Sequence, residues 1–383
     1  MKYYEGIVKN TTDDLLTALR KREGESLDIS AWMSFFGYDF MGHMCFSEDM
    51  GILNNGGDSK GLIRLIQIAF IEASWLSYIP WTVSFAKFLG GSKTLKRVQD
   101  LGEAAVEHRI AKGSENPDLF HYLLGEGEDE ADRPSKITAM IDGQLATLAG
   151  SDTAAIALSH LWCFLLTHPK CYERLRQEID ETFPLKEDIS SDLSLQSSMP
   201  YLNACMSVDP SPRFCICKPL ICTAPSNESL RLYPPVITGL QREVRRGTGG
   251  RMLGPHFIPE GTQVSLWAYS MHRDPRYFAP LTNSFWPDRW LEQDKYTLIS
   301  GVIVPKEQVV AEREVFMPFS HGPMVCAGKA VALAEMRAVV CAIVREFDLA
   351  VADQATVDNW EDSLREAFIT LRGPLLVTLK CRE

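Results

Sequence analysis

Residues 317–337 read MPFSHGPMVCAGKAVALAEMR. One cysteine, Cys326, stands in a loop of Gly, Pro and Ser and is followed at once by a long helical pattern. A helix N-terminus presents free N–H groups and the positive end of the dipole, which favour a thiolate over a thiol. Gly322 and Gly328 permit close backbone approach, and Phe319 supplies an apolar wall. Two readings of Cys326 stand side by side: a thiolate ligand or nucleophile, and a buried thiol at a helix start, the common fate of an unpaired cysteine.

Two further stretches carry chemistry. In LATLAGSDTAAIALSH, residues 145–160, Gly150, Ser151, Asp152 and Thr153 are poor helix formers at the centre of an apolar helix. They read either as an exposed stripe or packing kink, or as a working group. In the second reading a small residue opens space for a diatomic ligand, and an acid beside an alcohol relays protons through water. In ESLR, residues 228–231, a carboxylate and a guanidinium three residues apart share a helix face and can pair. On an exposed helix such a pair contributes only a few tenths of a kcal/mol.

The loop fits F-x-x-G-x-x-x-C-x-G through Phe319, Gly322, Cys326 and Gly328, and so resembles the haem-ligand loop of the cytochrome P-450 family. AGSDT, residues 149–153, resembles that family's oxygen-activating motif. ESLR, followed by LYPP (232–235) and FWPDRW (285–290), resembles its E-x-x-R motif and aromatic-Pro-x-Arg partner. The three motifs occur in the family's order. The resemblance runs over residues 1–383 as one domain, with the anchor, the first helices and strands and the W-x-x-x-R segment lacking a counterpart, so an N-terminally truncated chain is expected. It implies a mainly α fold with small β-sheets and a eukaryotic, fungal-like enzyme of secondary metabolism.

The resemblance also implies roles. Cys326 would ligate the iron of haem b, with Phe319, Gly322 and Gly328 shaping the loop and Arg242, in GLQREV, meeting a propionate. Met324 stands where a basic residue often pairs with a propionate, and Ala154 where a second hydroxyl is often found. Gly150, Asp152 and Thr153 would serve dioxygen and its protons. Glu228, Arg231 and Arg289 would form a buried structural network beneath the haem. Ala146, Ala149, Val236, Ile237 and Phe368 would face a lipophilic small-molecule substrate. Electrons would come from NADPH through a reductase docking near Lys329 and Arg337, two charges that read equally well as an ordinary solvated face. The expected reaction is insertion of one oxygen atom at the cytosolic face of the endoplasmic reticulum, with peripheral membrane contact, although a chain without an anchor could be cytosolic. Two alternatives stay open: a haem-thiolate isomerase or dehydratase, and a non-catalytic remnant.

Composition agrees with a sizeable core: 383 residues, 45% of them apolar. A net charge of −11 speaks against a general nucleic-acid binder. The 10 cysteines form no even framework, which suits a reducing compartment with mostly buried thiols. Helical periodicity marks residues 11–22, 28–45, 59–78, 92–112, 135–166 and 168–183. Residues 66–86 approach the length of a membrane span, but Glu72 and Pro80 interrupt them, so a membrane-dipping or core segment is expected. FITLRGPLLVTLK, at 368–380, reads as a terminal hairpin. Residues 207–226, with four prolines and three cysteines, interrupt an amphipathic helix and read as an insertion or retained intron. Cys215, Cys217 and Cys222 within it match no common zinc spacing.

Overall fold

The computed structural model describes residues 2–79, 82, 91–113, 116–126, 133–183, 189, 192–206, 228–237 and 241–382. Among these, seven helices of 14 residues or more build the frame: α1 (Lys2–Arg20), α2 (Ile29–Phe46), α3 (Leu62–Tyr78), α4 (Lys93–Lys112), α5 (Lys136–Thr167), α6 (Pro169–Thr182) and α7 (Lys329–Glu346). The expected segments are all present, and α1 begins well before residue 11. The insertion proposed at 207–226 lies outside the described residues.

Helix ends follow local chemistry. The Asp28 carboxylate accepts from Ser30 N at 3.0 Å to open α2, and Ser135 Oγ accepts from Thr138 N at 3.1 Å to open α5. Pro169 occupies the first position of α6, where its missing N–H costs nothing. The core helices α2 and α5 pack along much of their length, and α7 lies against α1, α6 and α5. Phe36, Phe40, Trp162, Leu165, Val339 and Ile343 meet in this interior with none of their surface exposed.

Sheet is sparse. The largest is three-stranded and antiparallel, with Leu376–Cys381 between Ser26–Asp28 and Phe347–Val351. The expected terminal hairpin is therefore corrected. Ile369–Leu371 pairs instead with Arg365–Ala367, and Leu376–Cys381 joins the other sheet. Between them the Arg372 guanidinium is drawn inward to Ser159 Oγ (2.7 Å), Ser34 Oγ (2.9 Å) and the Ser30 carbonyl (3.1 Å), so the chain crosses over rather than turning back.

The apolar stretch beginning at residue 66 lies in α3 as far as Tyr78, with Ile68, Ile71 and Trp75 exposed along it, and residues 80, 81 and 83–86 lie outside the described residues. Among the described residues one helix, α5, is long and apolar enough to cross a membrane. Most of its apolar window is buried inside the protein.

Candidate haem-thiolate site

Of the described cysteines, only Cys326 is exposed. It sits just before α7, after a short 3-10 turn at Gly322–Met324. Cys326 N donates to the Phe319 carbonyl at 2.9 Å, and the Cys326 carbonyl accepts from Lys329 N at 3.3 Å, which closes the loop onto the helix. Gly322 (φ 75°) and Ser320 (φ 63°) take left-handed conformations that allow this reversal. Phe319 packs against the core, while Met324 and Val325 stand exposed beside the thiol. A Cβ on Gly328 would meet nothing nearer than Cys326 Sγ, at 3.9 Å.

The network behind this loop is buried and charged. Arg231 Nε and Nη2 donate to the two Glu228 oxygens, both at 2.8 Å, and Arg289 Nε donates to Glu228 Oε1 at 3.0 Å. Trp286 N (3.1 Å) and Trp290 Nε1 (2.9 Å) add two more donors. Burial alone would raise the Glu228 carboxyl, yet the two guanidiniums and these hydrogen bonds bring it below the ordinary carboxylate range. Arg231 also donates to the carbonyls of His272 (2.7 Å) and Thr282 (2.6 Å). The His272 ring then reaches the cysteine loop, its Nε2 accepting from Met317 N at 3.1 Å. Burial, aided by Arg231, drops this imidazole to about 3, which keeps it neutral and able to accept. His272 completes the connection, and no spacing pattern in the sequence marks it.

On α5 the expected cluster divides. Ala146, Ala149 and Thr153 share one face by their spacing, with Ala149 exposed, the other two half-buried and the Thr153 hydroxyl donating to the Ala149 carbonyl at 2.8 Å. Exposed Ile141 and Leu145 extend this apolar face and were not singled out from sequence. Asp152 points the other way. It is buried against α2, where Tyr38 Oη donates to Asp152 Oδ2 at 2.7 Å. Asp152 and Thr153, adjacent in sequence, thus lie on different sides of α5, because consecutive helical residues diverge by about 100°. Gly150 is half-buried on the same helix. A Cβ there would lie 2.5 Å from Met41 Sδ, so the small residue accommodates α2.

The remaining expected residues lie on other elements. Thr370 N donates to the Pro235 carbonyl at 2.8 Å, which sets the hairpin of residues 365–371 beside half-buried Val236 and Ile237. Phe368, at the hairpin tip, is 39% exposed with φ 67°. Arg242 lies in an exposed strand paired with Gln263–Val264, its Nη1 donating to the Gln241 carbonyl at 3.0 Å. Arg337 is corrected as a docking charge: it is turned inward, its Nε donating to Asn203 Oδ1 at 2.9 Å, and burial lowers its pKa to about 10. Lys329 is half-buried.

The donor set suits a metal that brings most of its own ligands. Among the described residues no group of three His, Cys, Asp or Glu side chains could hold an ion, whereas a metal carried in a porphyrin needs one protein ligand, and an accessible Cys326 beside apolar Met324 and Val325 offers it.

A family model described as Cytochrome P450 matches residues 1–207 and 222–379. The chain is 29% identical over 381 residues to the cytochrome P450 monooxygenase FCK2 of Fusarium pseudograminearum, an alignment covering 98% of this chain and 62% of that protein. It is 30% identical over 355 residues to the cytochrome P450 monooxygenase nodW of Hypoxylon pulicicidum, covering 91% and 58%. The chain thus spans about three fifths of the length of these two curated relatives. Among solved structures it resembles the heme domain of cytochrome P450DA, with a TM-score of 0.72 at 16% identity over 100% of this chain and 74% of that one, a likeness of fold alone. Motif order, the pinned cysteine loop and the match over most of the sequence agree: this chain is a member of the cytochrome P450 family.

Proposed function

We propose that the chain acts as a haem-thiolate monooxygenase that inserts one oxygen atom from O2 into a lipophilic small molecule, with electrons from NADPH through a reductase. One observation carries this reading: an accessible Cys326 at the head of α7, in a loop held through His272 by the buried Glu228–Arg231–Arg289 network. Bound at Cys326, haem b would supply dioxygen activation, for which thiolate ligation is suited.

The chain's own residues would do the rest. The helix start at Lys329 lends its dipole to a Cys326 thiolate. Gly322 and Gly328 leave room for a flat group against the loop backbone, Phe319 backs it from the core side, and Arg242 could reach an anionic edge. Ala146, Ala149, Val236, Ile237 and Phe368 would offer apolar contact to substrate and exclude water. Thr153, on the open face of α5, would hold a proton near the reacting end of the substrate, while Asp152 would serve as the acid behind the helix. Of the two charges first assigned to reductase docking, Lys329 alone is retained. The exposed Ile68, Ile71 and Trp75 on α3 support peripheral contact with a membrane such as the endoplasmic reticulum. Residues 207–226 are read as an insertion, which the unmatched stretch between 207 and 222 supports.

The test is a carbon monoxide difference spectrum after dithionite reduction, recorded on the full chain and on Cys326→Ser. A strongly red-shifted Soret band present in the first and lost in the second is the expected result. No haem spectrum in the unaltered chain would overturn the reading and leave a non-catalytic member of the family.

A further inference from the structure

Behind α5, on the side away from Thr153, lies a small polar system that the proposed chemistry does not by itself require. Tyr38 and Asp152 are each 1% exposed and joined by the 2.7 Å hydrogen bond between α2 and α5. Arg372 approaches from the segment after Ile369–Leu371. Its guanidinium donates to Ser159, Ser34 and the Ser30 carbonyl, all neutral acceptors. The charges facing it are those of Asp152 and Asp28, and Asp58 faces Tyr38 from the loop before α3. The next acid on α2, Asp39, is engaged elsewhere, accepting from Ile52 N and Leu53 N at 3.1 and 2.7 Å.

A phenylalanine would fill the Tyr38 site as well by shape, so the hydroxyl calls for a reason. A carboxyl this deeply buried is driven toward its neutral form unless a donor or a cation stabilises the charge. Burial does raise the Asp152 carboxyl, while the Tyr38 hydroxyl and the Arg372 charge oppose that rise. A carboxyl locked in its neutral form cannot take up a proton and pass it on. One held ionised, with its donor in place, can.

We propose that Tyr38 is a positioning residue: its hydroxyl keeps the buried Asp152 carboxyl ionised at neutral pH and turned toward α2, as a proton acceptor on that side of α5. The assignment deepens the monooxygenase reading and rests on it for its use in turnover. The ionisation itself is a property of the folded chain with or without haem.

The experiment is infrared titration of the folded full-length chain, in which the protonated carboxyl band of Asp152 is identified by subtracting the spectrum of Asp152→Asn. A hydrogen bond to a charged group, once lost, should move the midpoint by about one to two pH units. Tyr38→Phe is therefore expected to raise the Asp152 titration by that amount. Site-specific 3-fluorotyrosine at position 38, a stronger donor of the same shape, should lower it and covers the case in which Tyr38→Phe fails to fold. An Asp152 band unmoved by either replacement, or already present at neutral pH in the unaltered chain, would overturn the proposal. A shifted titration in a chain that shows no thiolate-haem spectrum would remove the monooxygenase reading and leave the Tyr38 assignment standing.

Discussion

Glu228 accepts five hydrogen bonds while wholly buried, from Arg231 twice, Arg289, Trp290 and the backbone of Trp286. Glu228→Gln keeps the shape but leaves two buried guanidiniums without their counter-charge. Removing one partner from such a buried group costs about 3–5 kcal/mol, so urea unfolding of this variant should show a loss of that size. Asp274→Asn, which breaks the exposed pair with Arg276, should leave the midpoint where it was. Equal effects from the two would deny the network its structural role. Half of this arrangement could be read in sequence, because the i, i+3 spacing of Glu228 and Arg231 puts both on one helix face. Trp290 and His272 could not, since they reach the same charges from 62 and 41 residues away along the chain, and no local pattern encodes such a distance.

At the scale of elements, α2 and α5 approach more closely than side chains would allow. A Cβ on Gly37 would lie 2.4 Å from the Ser151 carbonyl oxygen, and one on Gly150 would lie 2.5 Å from Met41 Sδ. The two glycines should respond differently. A backbone carbonyl inside a helix cannot yield, whereas a methionine side chain can change rotamer. Gly37→Ala is expected to lower stability by about 1–3 kcal/mol, the usual range for overpacking, and Gly150→Ala by less. Thermal melting of both, and of Gly150→Ala combined with Met41→Ala, checks this: the combined loss should fall below the sum of its parts. A Gly150→Ala loss equal to that of Gly37→Ala would mean that Met41 is fixed in place. Periodicity located these helices because an apolar face repeating every 3.6 residues survives in one dimension. It failed at the terminal strands, whose partners at Arg365–Ala367 and Phe347–Val351 are not marked by alternation, and between which Arg372 is drawn inward to Ser159. It also missed the division of Asp152 from Thr153, since which face of α5 meets α2 depends on the close contact at Gly37.

The whole molecule carries a prediction in its response to acid. Two imidazoles lie in the interior, His160 against Tyr233 and Trp360, and His272 beneath the cysteine loop. Burial first, and then neighbouring arginines, lowers both to about 3, against 6.5 for a free histidine. The unfolded chain therefore binds protons between those values that the folded chain refuses. Stability from these groups is complete above about pH 6.5 and is lost as pH falls toward 3, at about 1.4 kcal/mol per pH unit for each. Glu228, whose carboxyl is depressed in the fold, adds a further loss below its ordinary value of 4.5. Glu335 acts in the opposite sense. Burial raises it well above the ordinary range, so the folded chain binds its proton first and gains stability on acidification. Between pH 6 and 5, where Glu228 has yet to contribute, the two histidines pull unfolding free energy down as pH falls, while Glu335 and the other carboxyls that burial raises, Asp28, Asp39, Asp152 and Glu178, pull the other way. His160→Gln retains an acceptor for the Trp360 indole N–H, which now donates to His160 Nδ1 at 3.2 Å, but has nothing to titrate. In that variant the slope across this window should lessen by the contribution of one proton. An unchanged slope would mean that His160 is protonated in the fold, a state its surroundings of Trp360, Tyr233 and two arginine charges are built to refuse.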